Sequence, residues 1–410
     1  MALIVQKFGG TSVGSIEKIK NVAKRIAKER VKGNSIAVVV SAMSGETNRL
    51  HDLAHEVSDD PHGREVDVLL ATGEQVTSSI LAMVLVDMGY KAKSYMGHQV
   101  KILTNQIHKS ARIIDIDTKR VEEDLKSGNV IVIAGFQGVD ENGNITTLGR
   151  GGSDLSAVAV AAALKADVCE IFTDVEGVYT TDPNICQDAR KLDKISYDEM
   201  LEMASMGAKV LQTRSVEFAK KFNVPLHVRS TFSDNEGTIV TVEDDEMEKV
   251  VVSGVTYNKN EAKITILKVP DTPGIAAKVF KPVTDADIVV DMIIQNISED
   301  GTTDITFTVP NSDLTKAVEI VSNTAKALGA KGVQQDDSIA KISIVGVGMR
   351  THAGVASQMF EALSKDNINI LMISTSEIKI SCVIEAKYTE LAVRVLHDTF
   401  GLSEESVTKE

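Results

Sequence analysis

Cysteine is scarce in this 410-residue sequence, and basic runs are missing altogether. Cys169, Cys186 and Cys382 are three, an odd number, with no C-x-x-C pair among them. That speaks against thiol redox chemistry or a zinc site and fits a reducing, cytoplasmic setting. The formal net charge is −14, and no cluster of lysines and arginines offsets it, so a nucleic-acid partner is not expected. No apolar stretch is read as long enough to cross a membrane. The first apolar run is short and ends in Lys7-Phe8-Gly9-Gly10 with no small-residue cleavage site, so no signal peptide is expected either. The phosphate-loop pattern G-x-x-x-x-G-K-[ST] is also absent. What remains is ordinary for a soluble globular chain: 43% hydrophobic and 25% charged residues, with length for two or three domains.

The stretch Lys7-Phe8-Gly9-Gly10-Thr11-Ser12 organises the first half. Leu3-Ile4-Val5 with Phe8 reads as a short buried strand. Ser15 is placed to cap a helix whose apolar face is Ile16, Ile19, Val22, Ala23 and Ile26. Two glycines therefore lie between a strand end and a helix start. Glycine lets backbone approach an anion closely, the helix N-terminus adds partial positive charge, and Lys7 adds a full one. The combination suits nucleotide phosphates; an ordinary turn is the plainer alternative.

Short apolar strands then alternate with helical patterns, which predicts an α/β sheet. Ile36 to Val40 is a buried strand ending in Ser41-Ala42-Met43-Ser44-Gly45, followed by Thr47-Asn48, where open α/β sheets place ligands. His51 and His55 share a helix face without a third ligand of matching spacing, so a solvated face is expected there. Val66 to Met88 reads as a long apolar helix containing Glu74, whose carboxylate needs either an internal salt bridge or a ligand's ammonium group. Strands are expected at Lys91 to Tyr95 and Val130 to Ala134, and Asn142-Gly143 signals a hairpin. Gly149-Arg150-Gly151-Gly152-Ser153-Asp154 is a second glycine turn at a helix start, now with an arginine suited to carboxylates or phosphates and an aspartate suited to Mg²⁺ or lysines. The strand Val168 to Phe172 ends at Thr173-Asp174, ahead of Tyr179 and Asp182, polar and aromatic groups that suit a base and ribose. Met203 to Ala219, with Lys209, is read as helical, and Pro225 to Arg229 as the last strand of this half.

Taken in order, Lys7 to Ser12, Val40 to Gly45, Gly149 to Asp154 and Thr173 to Pro183 resemble the signature blocks of the aspartate kinases, in the amino-acid kinase fold family. The resemblance runs over essentially the whole chain. It implies a three-layer αβα catalytic domain at residues 1–232, a linker at 233–262, and two α+β ACT modules of βαββαβ type at 263–335 and 336–410. It implies transfer of the ATP γ-phosphoryl group, with Mg²⁺ carried by the nucleotide, to the β-carboxylate of L-aspartate, the committed step toward lysine, methionine and threonine. Lys7, Phe8, Gly9, Gly10, Ser41, Thr173, Asp174, Tyr179, Asp182 and Lys209 would then form the ATP site. Thr47, Glu74, Arg150, Gly151, Gly152 and Ser153 would bind aspartate, with Glu74 on its ammonium and Arg150 on its carboxylate. Lys7 and Lys209 would meet the transferring phosphoryl group, and Asp154 would organise the lysines. One departure is Asn184, where many relatives carry arginine after Asp-Pro.

The polar stretch Thr231 to Glu248 reads as a boundary. Beyond it the chain repeats itself at an offset of 80 residues: Ile264 with Ile344, Gly274 with Gly354, Phe280 with Phe360, Ile288 with Ile368, Met292 with Met372. Each copy resembles an ACT module, and the pair implies amino-acid effectors, lysine and threonine, and edge-to-edge pairing. Effector contacts implied in the first copy are Asp271, Gly274, Ile275, Ala276, Val290, Asp291, Met292, Gln295 and Asn296. In the second they are Val355, Ala356, Asn369, Ile370, Ser376 and Glu377. A homo-oligomer, or an assembly with a shorter chain starting near Met247, follows from the same resemblance. Two rival readings stay open: another amino-acid kinase, or a non-catalytic amino-acid sensor.

Overall fold

Helical connections between the apolar runs of the first half let most of them line up as parallel neighbours in one sheet. The computed structural model describes residues 1–205, 210–297 and 301–404. In chain order its first elements are β1 (Leu3–Phe8), α1 (Ile16–Val31), β2 (Ser35–Val40), α2 (Glu46–Val57), α3 (Gly63–Asp87) and β3 (Ala92–Tyr95). Next come β4 (Ile102–Thr104), β5 (Ile113–Ile116), α4 (Lys119–Lys126), β6 (Val130–Ala134), β7 (Gln137–Val139), β8 (Ile145–Thr147) and α5 (Gly152–Leu164). They are followed by β9 (Val168–Thr173), β10 (Lys194–Ser196), α6 (Tyr197–Ser205), α7 (Thr213–Phe222), β11 (Leu226–Ser230), β12 (Thr238–Thr241) and the single turn α8 (Asp245–Glu248).

The main sheet runs β10-β12-β11-β9-β1-β2-β6-β3. From β11 through β3 its neighbours are parallel. Strands covered on both faces read as continuous apolar runs, as β2 and β6 do. One face packs Ile4, Phe8, Val38 and Val40 against Ile19, Val22 and Ile26 of α1 and Leu81 and Leu85 of α3. α5 lies against β1, β2 and β9 and against α7. A small second sheet, β5-β4-β7-β8, includes the hairpin at Asn142-Gly143, where β7 and β8 pair antiparallel.

Several elements differ from the sequence reading. Ser15 caps α1 as expected, accepting from the Lys18 amide, but Ile16 is 48% exposed and the buried face of α1 begins at Ile19. The helix expected over Met203 to Ala219 is two helices: α6 ends at Ser205, and α7 starts afresh behind Gln212, whose extended backbone and side-chain cap open a new helix. α3 is, among the described helices, the one long and apolar enough to cross a bilayer, against the reading that no such stretch exists. Half of that window is buried, and Asp67 and Glu74 sit inside the protein among its apolar residues, so it is built as a core helix. The segment expected as a linker carries β12, which pairs antiparallel with β11 in the main sheet, and further on a strand of the C-terminal unit.

The second unit comprises Thr180–Arg190 and the chain from Glu248. Its elements are β13 (Gly254–Asn258), β14 (Glu261–Pro270), α9 (Ile275–Asp285), β15 (Ile293–Ile297), β16 (Thr302–Pro310), α10 (Leu314–Ala327) and β17 (Gly332–Asp336), then β18 (Ile339–Val345), α11 (Val355–Lys365), β19 (Met372–Thr375), β20 (Lys379–Glu385) and α12 (Thr389–Thr399). The repeat is structural: α9 and α11 start at the same offset, each behind a glycine at φ +88° or +94°. The first module forms the sheet β15-β16-β14-β17, the second β13-β18-β20-β19. The fourth strand of the second module thus comes from ahead of the first. Met292, Ile339, Met372 and Val383 pack together where the modules meet.

Thr180–Arg190 is held in this unit by Thr180, whose carbonyl accepts from the Val255 amide and whose hydroxyl bonds Nε2 of His397 at 2.9 Å. Both side chains are buried. Burial lowers the His397 pKa, partly offset by Asp398 and Asp188, with Arg190 lowering it further. A histidine that folds neutral stabilises above its unfolded pKa and loses that contribution as pH falls, because the unfolded chain takes up the proton. Melting temperature of the full chain should therefore drop as pH falls below about 6.5. His397→Asn should flatten part of that dependence; His227, also lowered by burial, supplies another part. An unchanged slope in the variant would contradict this account of His397.

Candidate active site

The carboxyl ends of β1, β2, β9 and β11 lie side by side, since the four strands are parallel neighbours in register. Ligands gather at that edge of an open α/β sheet. Here β1 delivers Lys7, Gly9 and Gly10, β2 delivers Ser41, and β9 delivers Thr173 and Asp174. The loop after β1 is tied across the edge by Ser12, whose hydroxyl meets that of Thr231 at 2.6 Å.

A cavity of about 820 Å³ opens beside this edge. It brings together ten of the residues singled out from the sequence: Lys7, Gly10, Ser41, Thr47, Glu74, Arg150, Gly151, Gly152, Ser153 and Asp154. Lys7 and Asp154 form an ion pair at 2.5 Å, with side chains 11% and 12% exposed. Asp154 stands in the first turn of α5, and Gly151 precedes it at φ +68° with no side-chain cap. A Cβ on Gly151 would also come within 2.3 Å of Gln212, so the turn demands glycine twice over. α2 likewise starts behind a left-handed glycine, Gly45, without a side-chain cap. Two helix N-termini without side-chain caps thus border one cavity, and their dipoles favour anions there.

Glu74 comes from the middle of α3 and is 3% exposed. One carboxylate oxygen accepts from the Ala42 amide at 3.0 Å; the other is buried without a partner. Gly73 makes this possible, for a Cβ there would stand 2.8 Å from that of Ala42 and push the loop off the helix. Burial raises the Glu74 pKa to about 7, with the Ala42 amide pulling the other way. The alternative of an internal salt bridge for Glu74 is not realised among the described residues.

Other expected residues are placed differently. Phe8 is fully buried and stacks on Phe172 at 4.7 Å, so its side chain belongs to the core and cannot meet a nucleotide. Gly9 donates its amide to the Phe172 carbonyl, continuing the sheet. Thr173 and Asp174 bond each other at the end of β9, and half-buried Tyr179 closes an isolated bridge to Lys191. Asp182 belongs to the C-terminal unit, where it accepts from the Tyr257 hydroxyl and from both the amide and side chain of Asn184. Asn184 therefore shapes the Asp182 turn. Lys209 lies outside the described residues. His51 was expected on a plain solvated face but also lines the cavity, because α2 begins at its rim. Lys109 and Phe136 were missed. Both have positive φ, at +66°, in connections between strands, Lys109 between β4 and β5 and Phe136 between β6 and β7.

Among the effector candidates, Ile275, Met292 and Val355 are core side chains, since they fall on the buried faces of their elements. Asp291 is paired with Lys341, which also binds Glu261 at 2.6 Å. Gln295 and Asn296 are exposed on β15, an edge strand, and Asp271, Asn369, Ser376 and Glu377 are exposed as well. Gly274 opens α9, Ala276 is exposed in its first turn, and Val290, Ala356 and Ile370 are partly buried.

Residues 2–230 match the amino acid kinase family, and residues 267–324 and 342–400 match an ACT domain. The aspartate kinase of Pseudomonas putida is 60% identical over 403 residues, covering 98% of each chain. The aspartokinase of Helicobacter pylori is 52% identical over 406 residues, 98% of this chain and all of that one. Among solved structures, the aspartate kinase from Synechocystis is 44% identical with a TM-score of 0.55, covering all of this chain and 71% of that one. The fold is also that of E. coli aspartokinase III, solved with aspartate and ADP, at a TM-score of 0.80 and 24% identity over 97% of this chain and 99% of that one. Identity of this extent, running through both the cavity-bearing half and the repeated half, admits one assignment: the chain belongs to the aspartate kinase family.

Proposed function

We propose that the cavity transfers the γ-phosphoryl group of ATP to the β-carboxylate of L-aspartate, giving 4-phospho-L-aspartate. The observation that carries the reading is Glu74: a buried carboxylate with one oxygen unpartnered, facing a cavity that also presents Arg150 and the Lys7–Asp154 pair. Glu74 takes the ammonium group of aspartate and Arg150 its α-carboxylate, which leaves the β-carboxylate toward Lys7. That carboxylate is ionised at neutral pH, so no general base is required. Phosphoryl transfer then rests on alignment and charge neutralisation. Lys7 supplies a cation held in place by Asp154, the two glycine turns supply backbone amides, and Lys209 is proposed as the second cation.

Among the described residues no three His, Cys, Asp or Glu side chains gather as a metal site, and Asp154 is already engaged by Lys7. Mg²⁺ is proposed to arrive on the triphosphate, where it would neutralise charge. Thr173, Asp174 and Tyr179 are proposed for the nucleotide's ribose and base. The three unpaired, buried cysteines suit a reducing compartment, and we place the enzyme in the cytoplasm.

The ACT pair is proposed to bind lysine and threonine and to lower activity. E. coli aspartokinase III, solved with lysine and aspartate, supports the effector class for that protein. The edge strands β15 and β19 expose Ile293 and Ile373 at equivalent repeat positions, which supports edge-to-edge pairing of modules in a homo-oligomer or with a shorter chain from about Met247.

A steady-state assay of ATP-dependent acyl phosphate formation over a panel of amino acids should single out L-aspartate, and Lys7→Ala should lower kcat about a thousandfold with folding retained. Turnover of another amino acid in preference to aspartate would overturn the reading. Because Glu74 must be ionised to hold an ammonium group, KM for aspartate should be flat above about pH 7 and rise up to about tenfold per unit below it. Glu74→Gln should remove that limb and leave KM high at every pH, with KM for ATP little affected. Lysine with threonine should inhibit cooperatively, and Gln295→Ala should relieve it; activity indifferent to both amino acids would dismiss the feedback proposal.

A further inference from the structure

α3 carries a second buried carboxylate that the mechanism above does not use. Asp67 lies seven residues before Glu74, two helical turns away and so on the same stripe. It is 0% exposed. One of its oxygens accepts from the Thr147 hydroxyl at 2.6 Å and the Lys109 amide at 3.1 Å; the other faces Nδ1 of His108 at 2.8 Å.

These three donors belong to the two chain segments that carry the far wall of the cavity. Thr147 ends β8 and leads through Leu148 and Gly149 to Arg150. His108 and Lys109 lie in the β4–β5 connection, which is laced to the same turn: the Ala111 amide donates to the Thr147 carbonyl, and Arg214 bridges the carbonyls of Leu148 and Ala111. Gly149 packs so closely that a Cβ would stand 3.1 Å from the Lys109 carbonyl. Asp67 is thus the point where α3 is fastened to the wall that presents Arg150.

We infer that Asp67 is a positioning residue that sets the span between Glu74 and Arg150, and through it the length of the amino-acid substrate the site accepts. The inference rests on the reading of Glu74 and Arg150 as the two anchors of aspartate. Helix α3 brings Glu74 rigidly, whereas Arg150 stands on a glycine-flanked turn with no stiffness of its own. A buried carboxylate with three donors fixes the one against the other. Loosening that joint admits a five-carbon diacid and holds the four-carbon one less well, since small misplacements of a bound substrate are costly in rate.

The test is Asp67→Asn, with Thr147→Val and His108→Gln beside it, each checked by its melting temperature. The expected result for Asp67→Asn is a rise of about tenfold or more in KM for L-aspartate with KM for ATP within about twofold. The ratio of kcat/KM for L-aspartate over L-glutamate should fall about tenfold, and the other two variants should move it the same way by less. A merely structural role would change both KM values or kcat without moving that ratio. An unchanged ratio in folded Asp67→Asn overturns the inference. If that variant does not fold, unchanged ratios in Thr147→Val and His108→Gln overturn it. Wild-type protein that forms no acyl phosphate from aspartate would instead refute the function proposed above.

Discussion

Lys7 and Asp154 come from distant parts of the first half of the chain and form an ion pair in the cavity. Lys7 lies at the carboxyl end of β1, the strand flanked by β2 and β9, and Asp154 in the first turn of α5, the helix packed over those strands. A largely buried ion pair is poor evidence for stability, because desolvation offsets most of the attraction. Its value here is geometric. It holds an ammonium group at a fixed place on the sheet edge, where a flexible lysine would otherwise wander. The glycine turns on either side keep side chains away from that place, and two helix starts without side-chain caps border the same cavity.

The acceptor side of the cavity uses the opposite device. Glu74 is buried with half its hydrogen-bonding capacity unmet, an arrangement that raises its pKa and leaves it waiting for a cation. Asp67, on the same helix, has its capacity met and acts as a fastening. Two carboxylates on one apolar helix thus differ in role because one is surrounded by donors and the other is not.

The regulatory half is a repeat that borrows. Its second module takes its fourth strand from β13, ahead of the first module, so the first module is one stretch of chain and the second is not. The chain around Tyr179 is divided too: Thr173, Asp174 and Tyr179 belong to the first unit, whereas Thr180–Arg190 is bound into the second through Thr180, Asp182 and Ile185. Buried Lys341, kept protonated by Glu261 and Asp291 against the pull of burial, joins β18 to β14 and to the segment carrying the effector candidates.

Local pattern alone was enough for the central strands, the N-terminal cap of α1, the β7–β8 hairpin and the offset of the repeat, since each depends on neighbours within a few residues or on self-similarity. It was enough as well for the residue types of the site: a lysine before paired glycines, an arginine and aspartate after another pair, a lone glutamate in an apolar helix. Tertiary structure decided what those residues face. Phe8 sits between the motif's charged and glycine positions yet is core, and Met292 and Val355 fall inside repeat blocks yet are packed away, because strand alternation and helix phase choose a side only once a partner surface exists. β12 and β13 looked like linker because short polar strands carry little periodicity until a sheet edge accepts them. Asp67 was invisible for the same reason: its partners lie about forty and eighty residues downstream, and only the folded chain brings three donors around one carboxylate.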